Sequence, residues 1–196
     1  MSTSLLVAEG KHEAAGALQK LVSRVLGGNH KFVFQRLANS PGRVHGKGRG
    51  YEKKAIRWLI EAQKSGGNAL VLLVDRDGNT TRESEIDAAQ QYSNAMGDSF
   101  FPRAMGVAVE MFDAWVFADE KALSQVLGKT IQTQKHPERI ANPKEHLRLL
   151  LQSEASVTAN ADLYYAVAEK TDLEQLTSRC PRGFGTFAQR IKEMRL

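Results

Sequence analysis

The chain opens on a short apolar run, Ser4-Leu-Leu-Val-Ala8, closed by Glu9-Gly10. A run of that length ending in a turn signal predicts a buried strand. From Ala14 to Leu26 alanine and leucine recur at helical spacing, and Gly27-Gly28 supplies the stop. Lys31-Phe-Val-Phe-Gln35 is aromatic and β-branched and predicts a second strand. Tyr51 to Lys64 returns to helical periodicity, with Ile56, Leu59 and Ile60 on one face and Gly66-Gly67 behind. Ala69-Leu-Val-Leu-Leu-Val74 is unbroken, as expected of a strand covered on both faces. Arg82 to Met96 is polar but compatible with a helix, and Ala104-Met-Gly-Val-Ala-Val109 predicts a fourth strand. Beyond about residue 118 the strand signal stops. Lys121 to Leu127, Pro143 to Leu151, Leu163 to Glu169, Leu173 to Arg179 and Phe184 to Met194 all carry helical patterns. Strands alternating with helices predict an α/β fold, a mostly parallel sheet with right-handed crossovers flanked by helices. Residues 1–118 are expected to form that core, with a helical portion, 119–196, packed on it as one unit.

Composition narrows the class. A chain of 196 residues with 42% apolar and 25% charged residues can bury a core without staples. Its longest apolar run, Ala69 to Val74, falls far short of the roughly 20 residues that span a bilayer. The run Leu5 to Ala8 is too short for a secretory signal and has no basic segment before it. Cys180 is the single cysteine, which excludes a disulfide framework and a cysteine metal cluster. The expectation is a cytoplasmic protein with no membrane partner.

Charge is unevenly placed. Nine basic residues between Lys31 and Lys64 face only Glu52 and Glu61, so this segment is far more basic than the chain's net +5, and the remainder is acidic. Its middle, Arg43-Val-His-Gly-Lys-Gly-Arg-Gly-Tyr51, alternates cations with glycines. Glycine admits close approach of a ligand to the backbone, and spaced cations suit a run of phosphates. Arg43, Lys47, Arg49, Lys53 and Lys54 are therefore the candidate nucleic-acid contacts. A solvated loop is the plainer reading of the same residues. The glycines fail the spacing of a P-loop and lack its Lys-Ser or Lys-Thr ending. The five histidines are dispersed without zinc-ligand spacing.

The acids are more telling. The first predicted strand runs into Glu9-Gly10, the third into Asp75-Arg-Asp77-Gly78, and the fourth into Glu110 with Asp113 three residues on. In open parallel sheets functional groups gather past the carboxyl ends of the strands. Carboxylates converging there repel one another unless a cation neutralises them, which suits a hard divalent ion such as Mg2+ or Mn2+. Asp-x-Asp-Gly alone also suits an ordinary turn; it is the combination across three strands that points to a site.

These residues resemble the Toprim domain, the metal-binding nucleotidyl-transfer and hydrolase module, in the Glu9-Gly10 pair and in Asp75-Arg-Asp77. The pattern is similar, more closely, to an uncharacterised bacterial Toprim-like family of unknown function, often encoded near ATPases in defence or mobile loci. That likeness rests on Val7-Ala-Glu-Gly10 with Glu13, Val74-Asp-Arg-Asp-Gly78, Asp113-Ala-Trp-Val-Phe-Ala-Asp119, Asn142-Pro-Lys144 and Gly183-Phe-Gly-Thr-Phe187. Ala8 and Asp113 depart from the usual residues there. The resemblance implies a Toprim-like sheet and a magnesium-dependent phosphodiesterase acting on DNA or RNA. Asp75 and Asp77 would hold the ion, and Glu9 would ligate it or act as general acid or base. Either Glu110 or Asp113 would complete the set, and an ATPase encoded nearby is an implied partner. The alternative is a non-catalytic nucleic-acid-binding or ATPase-partner subunit on the same fold.

Overall fold

The computed structural model describes residues 3–10, 16–28, 30–39, 50–92, 101–152, 160–194 and 196. In chain order they form β1 (Ser4–Ala8), α1 (Ala17–Leu26), β2 (Phe32–Arg36), α2 (Gly50–Lys64), β3 (Leu70–Asp75), α3 (Thr81–Gln91) and β4 (Arg103–Ala108). There follow α4 (Asp113–Val116), α5 (Glu120–Leu127), α6 (Pro143–Gln152), α7 (Asn160–Lys170), α8 (Leu173–Arg179) and α9 (Thr186–Glu193). The four strands lie in the order β2-β1-β3-β4, and every pairing is parallel. The α/β class with a parallel sheet flanked by helices is thus what the molecule adopts.

Alternation along the strands divides the core in two. Leu6, Ala8, Val71, Leu73, Ala104 and Ala108 face α1 and the C-terminal helices, packing with Leu18, Val22, Phe187 and Ile191. Val7, Leu70, Leu72, Val74, Met105 and Val107 face the other way, onto Trp58 and Leu59 of α2 and Ile86 and Ala89 of α3. The chain steps outward from β1 through α1 to β2, then returns across the opposite face through α2 to β3. This reversal opens a crevice between the carboxyl ends of β1 and β3. Trp115 sits in the helical layer with its ring 5.1 Å from that of Phe112 and 5.2 Å from that of Phe184.

Helix α9 begins later than its sequence pattern suggests, because Pro181–Gly185 forms a π turn first. Glu138 accepts the backbone N–H of Gly183 at 2.5 Å and of Arg182 at 3.3 Å. Its partial burial raises the carboxyl above the usual range. The turn delivers α9 tightly onto β4. A Cβ on Gly106 would lie 2.5 Å from Cδ2 of Phe187, closer than packed carbons tolerate, and its strand neighbours on this face are Ala104 and Ala108. Gly106→Val should therefore destabilise the fold by roughly 1–3 kcal/mol, the usual cost of overpacking. In a chain of this size that means a thermal midpoint lower by several degrees, at about 2–4 °C per kcal/mol. A calorimetric midpoint equal to that of the wild type would show that α9 does not approach β4 this closely.

Candidate functional site

Glu9 leaves β1 on one side of the crevice and Asp75 ends β3 on the other. Because β1 stops at Ala8, the Asp75 N–H has no strand partner there, and Glu9 Oε2 accepts it at 3.0 Å. Glu9 Oε1 accepts the Tyr51 hydroxyl at 2.6 Å, and Asp75 Oδ1 accepts the Phe112 N–H at 2.7 Å. Both acids are thus fixed by the fold rather than left to rotate.

Past the ends of β3 and β4 the pairing continues. Arg76 N–H reaches the Ala108 carbonyl at 3.0 Å and Asp77 N–H the Glu110 carbonyl at 2.9 Å. To do so, Asp77 takes φ 47° and Glu110 φ 61°. Left-handed backbone costs a non-glycine residue on the order of 1 kcal/mol. This strain bends the chain so that Asp77, although two residues after Asp75, shares a cation with Glu9.

That cation is Arg82, in the first turn of α3. Its Nη1 donates to the Asp75 carbonyl and to Asp77 Oδ2 at 2.9 Å, and lies 3.6 Å from Glu9 Oε2. The guanidinium carbon stands 4.3 Å from the centre of the Tyr51 ring, a cation–π distance. Its Nε is buried with no hydrogen-bond partner, a loss worth about 1–3 kcal/mol. The carboxylates and the ring must offset that loss. Tyr51 is itself anchored through its N–H, which donates to Glu85 Oε2 at 2.8 Å. Burial, then the hydrogen bond to Glu9 and the charge of that carboxylate, push the phenol up to about 12. It is a neutral donor at physiological pH.

The structure therefore brings Glu9, Asp75 and Asp77 to one crevice. Glu110 lies beside it, but its carboxylate pairs with Arg76. Arg76 also reaches Glu83 at 3.4 Å, and Glu83 takes Arg182 at 2.8 Å. Asp113, next in the chain to the Phe112 whose N–H holds Asp75, is 5% exposed and accepts the Tyr164 hydroxyl. Lys53 and Lys54 stand in the first turns of α2, and Lys54 Nζ lies 4.8 Å from the Tyr51 ring centre. One aromatic ring thus joins the basic helix to the acids. Arg43, Lys47 and Arg49, like His12 and Glu13, lie outside the described residues. A cavity of about 560 Å³ lined by Thr3, Val33, Trp58 and Gly67 holds none of the candidate residues.

The donor set suits Mg2+ or Mn2+. All three acids offer hard oxygen donors, and magnesium takes only one or two carboxylates directly. Among the described residues no three acidic, histidine or cysteine side chains stand close enough to hold one ion together, and Arg82 Nη1 lies between Glu9 and Asp77. Sequence reasoning missed Tyr51 and Arg82. A signal for Arg82 was present, since a cation in the first turn opposes the helix dipole and needs a local reason.

The chain belongs to a family described as a domain of unknown function, DUF4276, which matches residues 8–192. No curated protein matches it, and no solved structure does. The matched span holds all five candidate acids and continues into α9.

The Tyr51 shift gives a pH dependence with a definite sign. In the unfolded chain a tyrosine titrates near 10. Stability due to the protonated phenol is therefore complete below about pH 10 and is lost as pH rises toward 12. The urea midpoint of the wild type should fall more steeply between pH 10 and 11.5 than that of Tyr51→Phe. Parallel curves would place Tyr51 away from the Glu9 carboxylate.

Proposed function

We propose that this protein is a Toprim-like phosphodiesterase that cleaves DNA or RNA with Mg2+ or Mn2+, centred on Glu9, Asp75 and Asp77. The observation that carries the reading is the meeting of the acid after β1 with the Asp-x-Asp after β3 in the crevice where the sheet's winding reverses. A divalent ion bound by these acids would neutralise phosphoryl oxygens and activate the attacking water. The remaining work belongs to the chain. Glu9, oriented by the Asp75 N–H and the Tyr51 hydroxyl, is placed to take or give a proton at Oε2. Asp75, held by Phe112 N–H, fixes the floor of the site, and Asp77, with its side chain 47% exposed, meets ligand at the rim. Lys53 and Lys54, with Arg43, Lys47 and Arg49, follow the polynucleotide backbone without reading bases. Glu110 serves as an outer acid beside the site, and we assign Asp113 to packing through Tyr164.

The same resemblance supports an effector role in a bacterial defence or mobile-element system, alongside an ATPase encoded nearby. Within the described residues no helix is long and apolar enough to cross a membrane.

The test is cleavage of plasmid, single-stranded DNA and total RNA with Mg2+, Mn2+ or chelator. Wild type should cut at least one substrate only with metal, and Glu9→Gln and Asp77→Asn should each lose roughly 100-fold or more, as expected for general acid–base and metal groups. Metal-independent cutting, or variants as active as wild type, would overturn the reading. Nucleic-acid binding without turnover or metal binding would instead favour the non-catalytic subunit.

Binding provides a second prediction. Replacing Lys53 and Lys54 together by alanine should weaken polynucleotide affinity for every sequence alike. The slope of log K against log salt should also shrink by about 0.7–0.9 for each phosphate the variant no longer neutralises. An unchanged slope would remove α2 from the binding face.

A further inference from the structure

Arg82 stands where the acidic centre needs positive charge. Its Nη1 is 2.9 Å from Asp77 Oδ2 and 3.6 Å from Glu9 Oε2, and it also donates to the Asp75 carbonyl. One nitrogen thus touches all three residues of the proposed centre. The guanidinium lies against Tyr51, its Nε is buried without a partner, and its side chain is only 14% exposed. Such a pose favours compensating the acids over satisfying the arginine itself.

A cation bridging Glu9 and Asp77 competes for the lone pairs that a divalent ion would use. From these contacts we propose that Arg82 is a resident counter-ion of the acidic edge, displaced when a divalent ion binds, so that metal loading frees its guanidinium. This rests on the metal-dependent reading above and adds a regulation to it. The fold gives the released group somewhere to act. Arg82 sits in the first turn of α3, at the mouth of the crevice, and Lys54 shares its aromatic neighbour Tyr51. A freed guanidinium there would meet a phosphate lying between the acids and α2, where its planar fork binds phosphate oxygens in pairs. The closed pose also keeps the acids compensated when no metal is present, which restrains metal-free exposure of a reactive edge.

The experiment measures Mn2+ binding by calorimetry for the wild type and Arg82→Gln, with thermal midpoints recorded without metal. Arg82→Gln should bind Mn2+ about tenfold more tightly, equivalent to about 1.4 kcal/mol, and should melt below the wild type when metal is absent. A second readout follows release of the side chain directly. Phenylglyoxal modification of the wild type, read by peptide mass spectrometry at Arg82, should accelerate several-fold on saturation with Mn2+. Equal or weaker Mn2+ affinity in Arg82→Gln, or modification of Arg82 unchanged by Mn2+, would overturn the displacement while leaving the metal site intact. Absence of Mn2+ binding in both proteins would overturn the displacement together with the metal-dependent function.

Discussion

The structure depends on how a parallel sheet tolerates three carboxylates at one edge. Like charges gathered at one edge repel one another, and that repulsion has to be met locally. The fold meets it with main-chain N–H groups and arginines. Asp75 N–H and Phe112 N–H hold two of the acids, Arg82 lies between the Glu9 and Asp77 carboxylates and donates to the Asp75 carbonyl, and Arg76 pairs with Glu110. In the crevice where the winding reverses, β1 and β3 end side by side, and Glu9 Oε2 takes the Asp75 N–H across it.

Most of the architecture was legible in the sequence because strands buried on both faces leave unbroken apolar runs. Leu70–Asp75 and Arg103–Ala108 fall within a residue of their predicted limits for that reason. Edge strand β2 was also legible, since Phe32, Val33 and Phe34 combine aromatic and β-branched character. The single turn α4 and the π turn before α9 left no periodic signal. They are too short for one, and they are fixed by distant partners: Tyr164 holds Asp113, and Glu138 holds Gly183.

The site divides along similar lines. That Glu9, Asp75 and Asp77 share one sheet edge was legible because each follows a strand, and strand ends are visible. Asp113 follows a strand as well, and its contact with Tyr164, 51 residues on, is one that residue spacing does not encode. Tyr51 and Arg82 begin helices whose sequence patterns describe the buried face. Their contacts with the acids lie at the helix ends and cross the crevice, to residues 42 positions away for Tyr51 with Glu9 and 73 for Arg82 with the same acid. Spacing within one helix cannot reveal a pairing of that reach.

The C-terminal helices also belong to the site's mechanics. Arg182 of the π turn pairs with Glu83, and Arg190 of α9 pairs with Asp87 at 2.7 Å. Glu83 and Asp87 are four residues apart and thus neighbours on α3, the helix whose first turn carries Arg82. Exposed ion pairs add at most about 1 kcal/mol, so their value here lies in direction. Together with the close packing of Gly106 on Phe187, they join α9 and the turn before it to α3 around β4. The helical portion is therefore tied to the acidic edge through α3, the helix whose Arg82 lies between Glu9 and Asp77.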